Sequence, residues 1–235
     1  MEAIFNCPVC GGPAAAVSRS PLRVIHECEC PFAEPERYMA GQQTLERRLT
    51  LPQQFQAALE TNQRRYASYE LAGYEPRTPS QAQALKTMQA LEPGRLVFLG
   101  GPAGSGKTRL AVGTAKRLSR EYGLSSAFYG EAYLVDTLRR AAGREVTRPD
   151  LNNPDILILD DVGKAAGGRE HWMEAFYALV EYRYANLKTL IITANHDLEE
   201  VCESLGKDRN NSHALFSRLA SEVVVNVIGK DGRHE

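Results

Sequence analysis

The sequence predicts an α/β fold built on a mostly parallel sheet, on three observations. Past Gly94, short apolar runs alternate with longer amphipathic stretches, the pattern of βαβ units whose strands are buried on both faces. The first run, Leu96–Leu99, leads into Gly101-Pro102-Ala103-Gly104-Ser105-Gly106-Lys107-Thr108, a full G-x-x-x-x-G-K-S/T pattern. A later run, Ile156–Leu159, ends in two carboxylates, Asp160 and Asp161. The interior of a parallel sheet does not tolerate unpaired carboxylates, so they belong at the strand's C-terminal end, where α/β proteins bind ligands.

In chain order, residues 1–32 hold four of the five cysteines, as Cys7-x-x-Cys10 and Cys28-x-Cys30. Val24-Ile25 suggests a short strand leading into the second pair. Residues 33–50 turn polar and read as a linker with a helix around Tyr38–Leu49. Helical periodicity continues over Leu51–Tyr69 and again from Ser80, an expected N-cap, to Leu91. The expected strands are Leu96–Leu99, Ala127–Tyr129, Ile156–Asp160, Leu190–Thr193 and Val223–Val227. Helices are expected at Lys107–Tyr122, Glu131–Ala142, His171–Asn186, Asp197–Ser204 and Ser212–Ala220. The resulting organisation is a small head (1–32), a partly helical linker (33–50) and a larger α/β domain (51–235).

Composition narrows the class. The chain has 235 residues, 43% hydrophobic and 24% charged, an ordinary globular balance. With 28 basic and 29 acidic side chains the net charge is −1, so bulk positive charge cannot drive binding to nucleic acid, although a local basic stripe can. No apolar run is long enough to span a membrane, and the start has neither a basic n-region nor an apolar h-region. A soluble, cytoplasmic protein is expected.

In a reducing compartment, two close cysteine pairs joined by a short loop read as a metal site before disulfides. Cys7, Cys10, Cys28 and Cys30 are the expected zinc ligands, with His26 close enough to compete as the fourth. So few residues bury little core, and zinc would supply the folding energy. The acidic Glu27 and Glu29 beside the cysteines favour a protein over a phosphate backbone as the head's target. Cys202, beside Val201 and Leu205, is expected in the core.

The glycines of the 101–108 loop let backbone N–H groups wrap phosphates at a helix N-terminus. Lys107 would reach the β- and γ-phosphates of ATP, and Thr108 would offer its hydroxyl to Mg²⁺. Asp160 would hold Mg²⁺. Asp161 would orient or deprotonate the attacking water, or else cap the turn at Gly163. Asn195 ends the run Leu190–Ala194. It would position the water if that strand lies between the other two, or simply form a turn. Arg139, Arg140, Arg144 and Arg148 lie between Leu138 and Pro149 with the single acid Glu145. As a positive groove that could track phosphates they are candidate DNA contacts, or else a solvated helix face. Tyr129 and Tyr133 could stack on bases, though apolar packing suits both.

The stretch from Pro154 to Gly163 (PDILILDDVG), followed by His171-Trp172, Tyr177–Tyr184, Thr193–Asn195 and Phe216–Leu219, resembles the DnaC/DnaI/IstB family of AAA+ ATPases. The resemblance implies a five-stranded parallel sheet in order 5-1-4-3-2 and assembly into a ring or spiral with nucleotide between subunits. It makes Arg218 a trans-acting arginine finger; the residues alone allow an i,i+4 ion pair with Glu222 instead. Arg233 resembles the family's late arginine near the nucleotide, and Asp161 stands where many relatives of the wider class carry Glu. The implied function is an ATP-switched loader that binds single-stranded DNA and docks, through the zinc head, on a hexameric replicative helicase. An IstB-like transposition regulator acting on duplex DNA and a transposase is the alternative. A P-loop nucleotide kinase is a third reading, but it has no need of Asp160-Asp161, Asn195 and Arg218 together.

Overall fold

The computed structural model describes residues 3–6, 13–20, 23–27, 35–142, 149–164, 169–205 and 209–229, with side chains over 43–141, 149–164, 171–205 and 212–229. Cys7, Cys10, Cys28 and Cys30, the side chain of His26, and Arg144, Arg148 and Arg233 lie outside the described residues.

Three short strands, β1 (Ala3–Asn6), β2 (Pro13–Ser20) and β3 (Arg23–Glu27), form an antiparallel sheet with β2 in the middle. The strand expected at Val24-Ile25 falls within β3. Helix α1 (Pro35–Asn62) follows as one element of 28 residues, running unbroken past Pro52. It crosses position 50, where the sequence suggested a linker giving way to a domain. The helical pattern expected to reach Tyr69 stops at Asn62 and gives way to a single 3₁₀ turn, Arg64–Tyr66.

Helix α2 (Pro79–Gln89) is capped two residues earlier than expected. Its cap is Thr78, whose hydroxyl accepts the Gln81 N–H at 3.2 Å, while Ser80 lies inside the first turn. Pro79 explains the shift: a proline is pre-organised for the first helical position, so the capping residue must precede it.

The remaining elements alternate as expected: β4 (Leu96–Gly100), α3 (Lys107–Tyr122), β5 (Ser126–Gly130), α4 (Glu131–Ala142), β6 (Ile156–Val162), α5 (Arg169–Ala185), β7 (Thr189–Ala194), α6 (Leu198–Leu205), α7 (Arg209–Ala220) and β8 (Val223–Asn226). The five strands β4–β8 pair in parallel in spatial order β5-β6-β7-β4-β8. Numbered from β4 as strand one, this is the 5-1-4-3-2 order read from the other edge. β4, the strand that leads into the glycine loop, has β7 on one side and β8 on the other.

Strand residues alternate between two cores, as a sheet covered on both faces requires. Leu96, Phe98, Leu157, Leu159, Leu190 and Ile192 join Trp172, Phe176 and Leu215 under helices α4–α7. Val97, Leu99, Ile156, Ile158 and Ile191 join Phe55, Leu59, Met88, Leu110 and Leu118 under α1–α3. Cys202 is buried in the first of these cores, and desolvation pushes its thiol up to about 12.

One buried cation ties this framework together. Arg183 on α5 is fully buried and donates to the carbonyls of Leu151 (2.9 Å), Pro154 (3.0 Å), Asp155 (3.0 Å) and Thr189 (2.7 Å). It thereby joins the chain leading into β6 to the start of β7. Burial lowers its guanidinium to about 10, so it stays charged at neutral pH.

Candidate functional site

β4 ends at Gly100, whose carbonyl accepts the Val227 N–H at 2.7 Å. The chain then turns at Gly101 with φ +140°, where any Cβ would collide with the Val227 carbonyl oxygen. Gly104 (φ +76°) and Gly106 (φ +97°) hold the rest of the loop in left-handed conformations that favour glycine. At Gly106 a Cβ would also lie 2.7 Å from the Tyr74 ring. Helix α3 starts immediately afterwards with no acidic residue in its first turn, leaving its N-terminal N–H groups open to an anion.

Lys107 is buried, and its ammonium donates to the Gly101 carbonyl (2.8 Å), the Pro102 carbonyl (2.7 Å) and Asn195 Oδ1 (3.1 Å). Thr108 donates to Asp160 Oδ1 at 2.8 Å. Thr193 donates to the same oxygen at 2.8 Å, and its hydroxyl accepts the Asp161 N–H at 3.0 Å. Asp160 is buried (6% exposed). Desolvation raises its carboxyl above the usual range and the neighbouring Asp161 charge adds to this, while hydrogen bonds from Thr193 and Thr108 and the Lys107 charge pull the other way.

Asp161 has a different setting. β6 pairs with β7 regularly to Leu159↔Ile192 and resumes at Val162↔Ala194, so β6 carries one extra residue across this stretch. Such a bulge re-aims a side chain. Asp161 takes φ +61° and leaves its carboxylate 54% exposed, accepting from Asn195 Nδ2 (3.1 Å) and Lys164 Nζ (3.1 Å).

The sequence-predicted residues Gly104, Ser105, Gly106, Lys107, Thr108, Asp160, Asp161 and Asn195 thus converge on one cavity of about 500 Å³, within the usual range for small-molecule sites. Tyr66, Tyr69, Tyr74, Arg65, Arg77 and Arg109 line the same space. All but Arg109, which follows Thr108 on α3, come from the segment between α1 and α2, which no motif marks. Tyr74 donates to the Ser105 carbonyl at 3.2 Å, and Gln81 Nε2 donates to it at 3.0 Å. Buried Lys116 on α3 holds the segment in place through the Ala67 carbonyl (2.6 Å) and Glu70 (3.3 Å).

Arg218 lies outside this cavity. It pairs with Glu181 on α5 rather than with Glu222, and stacks 5.9 Å from the Tyr184 ring. Glu222 is taken by Arg95 at 2.7 Å, so the local i,i+4 reading of Arg218 is replaced by a pairing between α5 and α7. Arg139 and Arg140 are exposed on α4, but both face Asp136, at 2.6 and 3.9 Å; an acid one turn back partly offsets their charge. Tyr129 packs against the core, whereas Tyr133 is 59% exposed, with the two rings 6.1 Å apart and nearly parallel.

Among the described residues no group of three or more His, Cys, Asp and Glu side chains could hold a metal ion, and no helix is long and apolar enough to cross a membrane.

The family model described as IstB-like ATP binding protein matches residues 39–234. The chain belongs to this family. Its members' fold also recurs in solved structures. The DnaC helicase loader is 26% identical, with a TM-score of 0.56 over 69% of this chain and 98% of that one. DnaI is 19% identical, with a TM-score of 0.57 over 72% and 93%. A putative primosome component from Streptococcus pyogenes serotype M3 is 17% identical, with a TM-score of 0.55 over 72% and 90%. A DNA replication initiation factor matches at 16% identity and a TM-score of 0.52 over 68% of this chain, which spans about half (49%) of that protein. Among curated protein sequences none matches the chain. Family membership makes the IstB-like chain an ATP-binding protein, in agreement with the cavity around Lys107.

Thr193 lies within the Thr193–Asn195 match, but that match does not reveal its role at Asp160. Tyr74, Lys164 and Glu131 carry no motif signal and are brought to the site by the fold.

Proposed function

We propose that this IstB-like protein is an ATP-hydrolysing loader of a ring-shaped replicative helicase, binding single-stranded DNA and assembling with copies of itself. The observation that carries the ATPase reading is the joining of three strand ends by hydrogen bonds: Thr108–Asp160–Thr193 on one side, Lys107–Asn195–Asp161 on the other.

Each residue has a role on this reading. The loop from Gly101 to Gly106 and the N-terminus of α3 cradle the phosphates, and Lys107 exchanges its loop carbonyls for the β- and γ-phosphates. Thr108 and Asp160 present adjacent hard oxygens, a donor set that suits Mg²⁺, and they would hold it. When bound, the ion neutralises charge on the phosphates. Asp161, the exposed carboxylate, orients the attacking water and accepts its proton, with Asn195 fixing its direction. Arg218, outside its own chain's cavity, would reach the nucleotide of a neighbouring copy. Turnover is slow and acts as a switch, ATP binding ordering the assembly and hydrolysis releasing it.

The loader role is supported by the likeness to the DnaC helicase loader over nearly all of that chain. The residue 1–32 head would bind Zn²⁺ through its four cysteines and dock on the helicase, followed by a linker over 33–50 and the ATPase domain over 51–235. Arg139 and Arg140, together with Arg144 and Arg148, would contact the DNA strand. The match to an IstB-like family leaves room for a second reading, a regulator of transposition acting on duplex DNA with a transposase.

One experiment separates the two. The full chain, in native-cell extract, is expected to co-purify with a hexameric helicase. Cys7→Ser should weaken that capture, and Lys107→Ala should abolish ATP binding by at least a hundredfold in affinity. Capture of a transposase with preference for duplex DNA would replace the loader by the regulator. ATP binding unchanged in Lys107→Ala would remove the site assignment altogether.

A further inference from the structure

Lys164 follows the carboxylate pair by three residues, and neither the phosphate loop nor the family's motif residues include it. The chain nevertheless builds its position with care. Asp161 (φ +61°) and Gly163 (φ +96°) are both left-handed, and β6 ends at Val162 in a turn at Gly163. The Lys164 N–H is then held at 2.8 Å by Glu131 Oε2, a carboxylate only 2% exposed whose other oxygen accepts the Trp172 indole N–H at 2.8 Å. Glu131 is the first residue of α4, one past Gly130, which pairs with Asp160. Two elements buried in the core therefore clamp the backbone of a residue whose own side chain is 47% exposed.

The Lys164 ammonium lines the same cavity as Lys107, Thr108 and Asn195, and lies 3.1 Å from Asp161 Oδ2. An exposed i,i+3 ion pair contributes little to stability, so stability does not account for a buried clamp and a left-handed, non-glycine backbone at this point. Charge placement does. Asp160 and Asp161 together put two carboxylates where the end of a triphosphate would arrive. Lys107 faces them from the loop side, through Asn195 Oδ1, and Lys164 faces them from the opposite side at the other oxygen of Asp161. A diphosphate held by the loop would meet Lys107, and a third phosphate would extend toward Asp161, Asn195 and Lys164, which line the same cavity.

We infer that Lys164 is a second cation of the nucleotide site, reserved for the terminal phosphate: it pairs with Asp161 in the nucleotide-free chain and transfers to the γ-phosphate when ATP binds. The transfer leaves Asp161 free to engage water only when a triphosphate is present. Lys164 thus makes the site discriminate ATP from ADP. This rests on the nucleotide-binding reading above.

The test compares equilibrium binding of ADP and of a non-hydrolysable β,γ-methylene ATP analogue, with Mg²⁺, to the full chain. Lys164→Ala is expected to weaken the analogue about tenfold while ADP affinity stays within twofold. Lys164→Arg should restore most of the difference. The thermal midpoint should not move, because the side chain is exposed. Equal affinities for both ligands in wild type and Lys164→Ala would overturn the inference, as would an equal loss for both. If wild type binds neither nucleotide, the site reading fails with it. If Lys107→Ala loses both ligands while Lys164→Ala loses neither, the site stands and the Lys164 inference falls.

Discussion

Asp160 and Asp161 are neighbours in sequence with opposite environments. One is buried between two threonine hydroxyls, and the other is turned outward by a bulge. The sequence shows two acids ending an apolar run; the bulge that separates their roles arises only where β6 meets β7. Arg183 is the corresponding case in the core. Nothing in YRY signals a buried guanidinium, yet its bonds to the Leu151, Pro154, Asp155 and Thr189 carbonyls join the starts of β6 and β7. Both strands then run to Asp160 and Thr193, so the residue's effect reaches the far end of the sheet. Arg183→Ala leaves four carbonyls without that donor and is expected to cost about 3–5 kcal/mol in urea unfolding. A loss below about 1 kcal/mol would show that water replaces the guanidinium without strain.

At the scale of elements, the alternation of apolar and amphipathic segments is legible because strand and helix periods differ and each strand here is buried on both faces. The ends of elements are less so. Helix α2 is an example: Pro79 moves the cap from Ser80 to Thr78, and the Thr78 hydroxyl both accepts the Gln81 N–H and donates to the Ile228 carbonyl at 2.6 Å. Ser80 also works outside its helix, donating to the Asn226 carbonyl at 2.6 Å and accepting the Ile228 N–H at 3.0 Å. The cap therefore closes the segment after β8 over α2. Thr78→Ala is expected to cost about 1 kcal/mol in chemical denaturation, with faster amide exchange at Gln81, whereas the Ile228 amide, held by Ser80, stays protected. Ser80→Ala would leave the Gln81 amide protected. Reversal of those two exchange results would return the cap to Ser80.

At the scale of the molecule, Arg218 sets the question that one chain leaves open. It is held by Glu181 and lies over Tyr184, away from its own chain's cavity. A guanidinium placed in trans stabilises transition-state charge by about 10³–10⁵ in rate. Arg218→Ala is thus expected to leave ATP affinity of the isolated chain unchanged. Turnover per chain is expected to rise with protein concentration in the wild type and not in this variant. A variant that keeps the full concentration-dependent rate would leave Arg218 as a link between α5 and α7 only.

The sequence by itself determined the alternating α/β pattern, the five strands, the loop from Gly101 to Thr108 and the polar strand ends at Asp160, Asp161 and Asn195, because each depends on local periodicity or on a fixed spacing of residue types. The match over residues 39–234 follows from the same local order. Tertiary structure alone decided that Thr193 shares Asp160 with Thr108, that Tyr74 braces the loop, that Glu181 rather than Glu222 holds Arg218, and that Glu131 clamps Lys164 beside Asp161. These partners are separated by roughly 30 residues or more along the chain, and no short-range pattern encodes a contact that exists only once the strands have paired. Their energies are desolvation and hydrogen bonding inside a packed core, which depend on which neighbours the fold supplies.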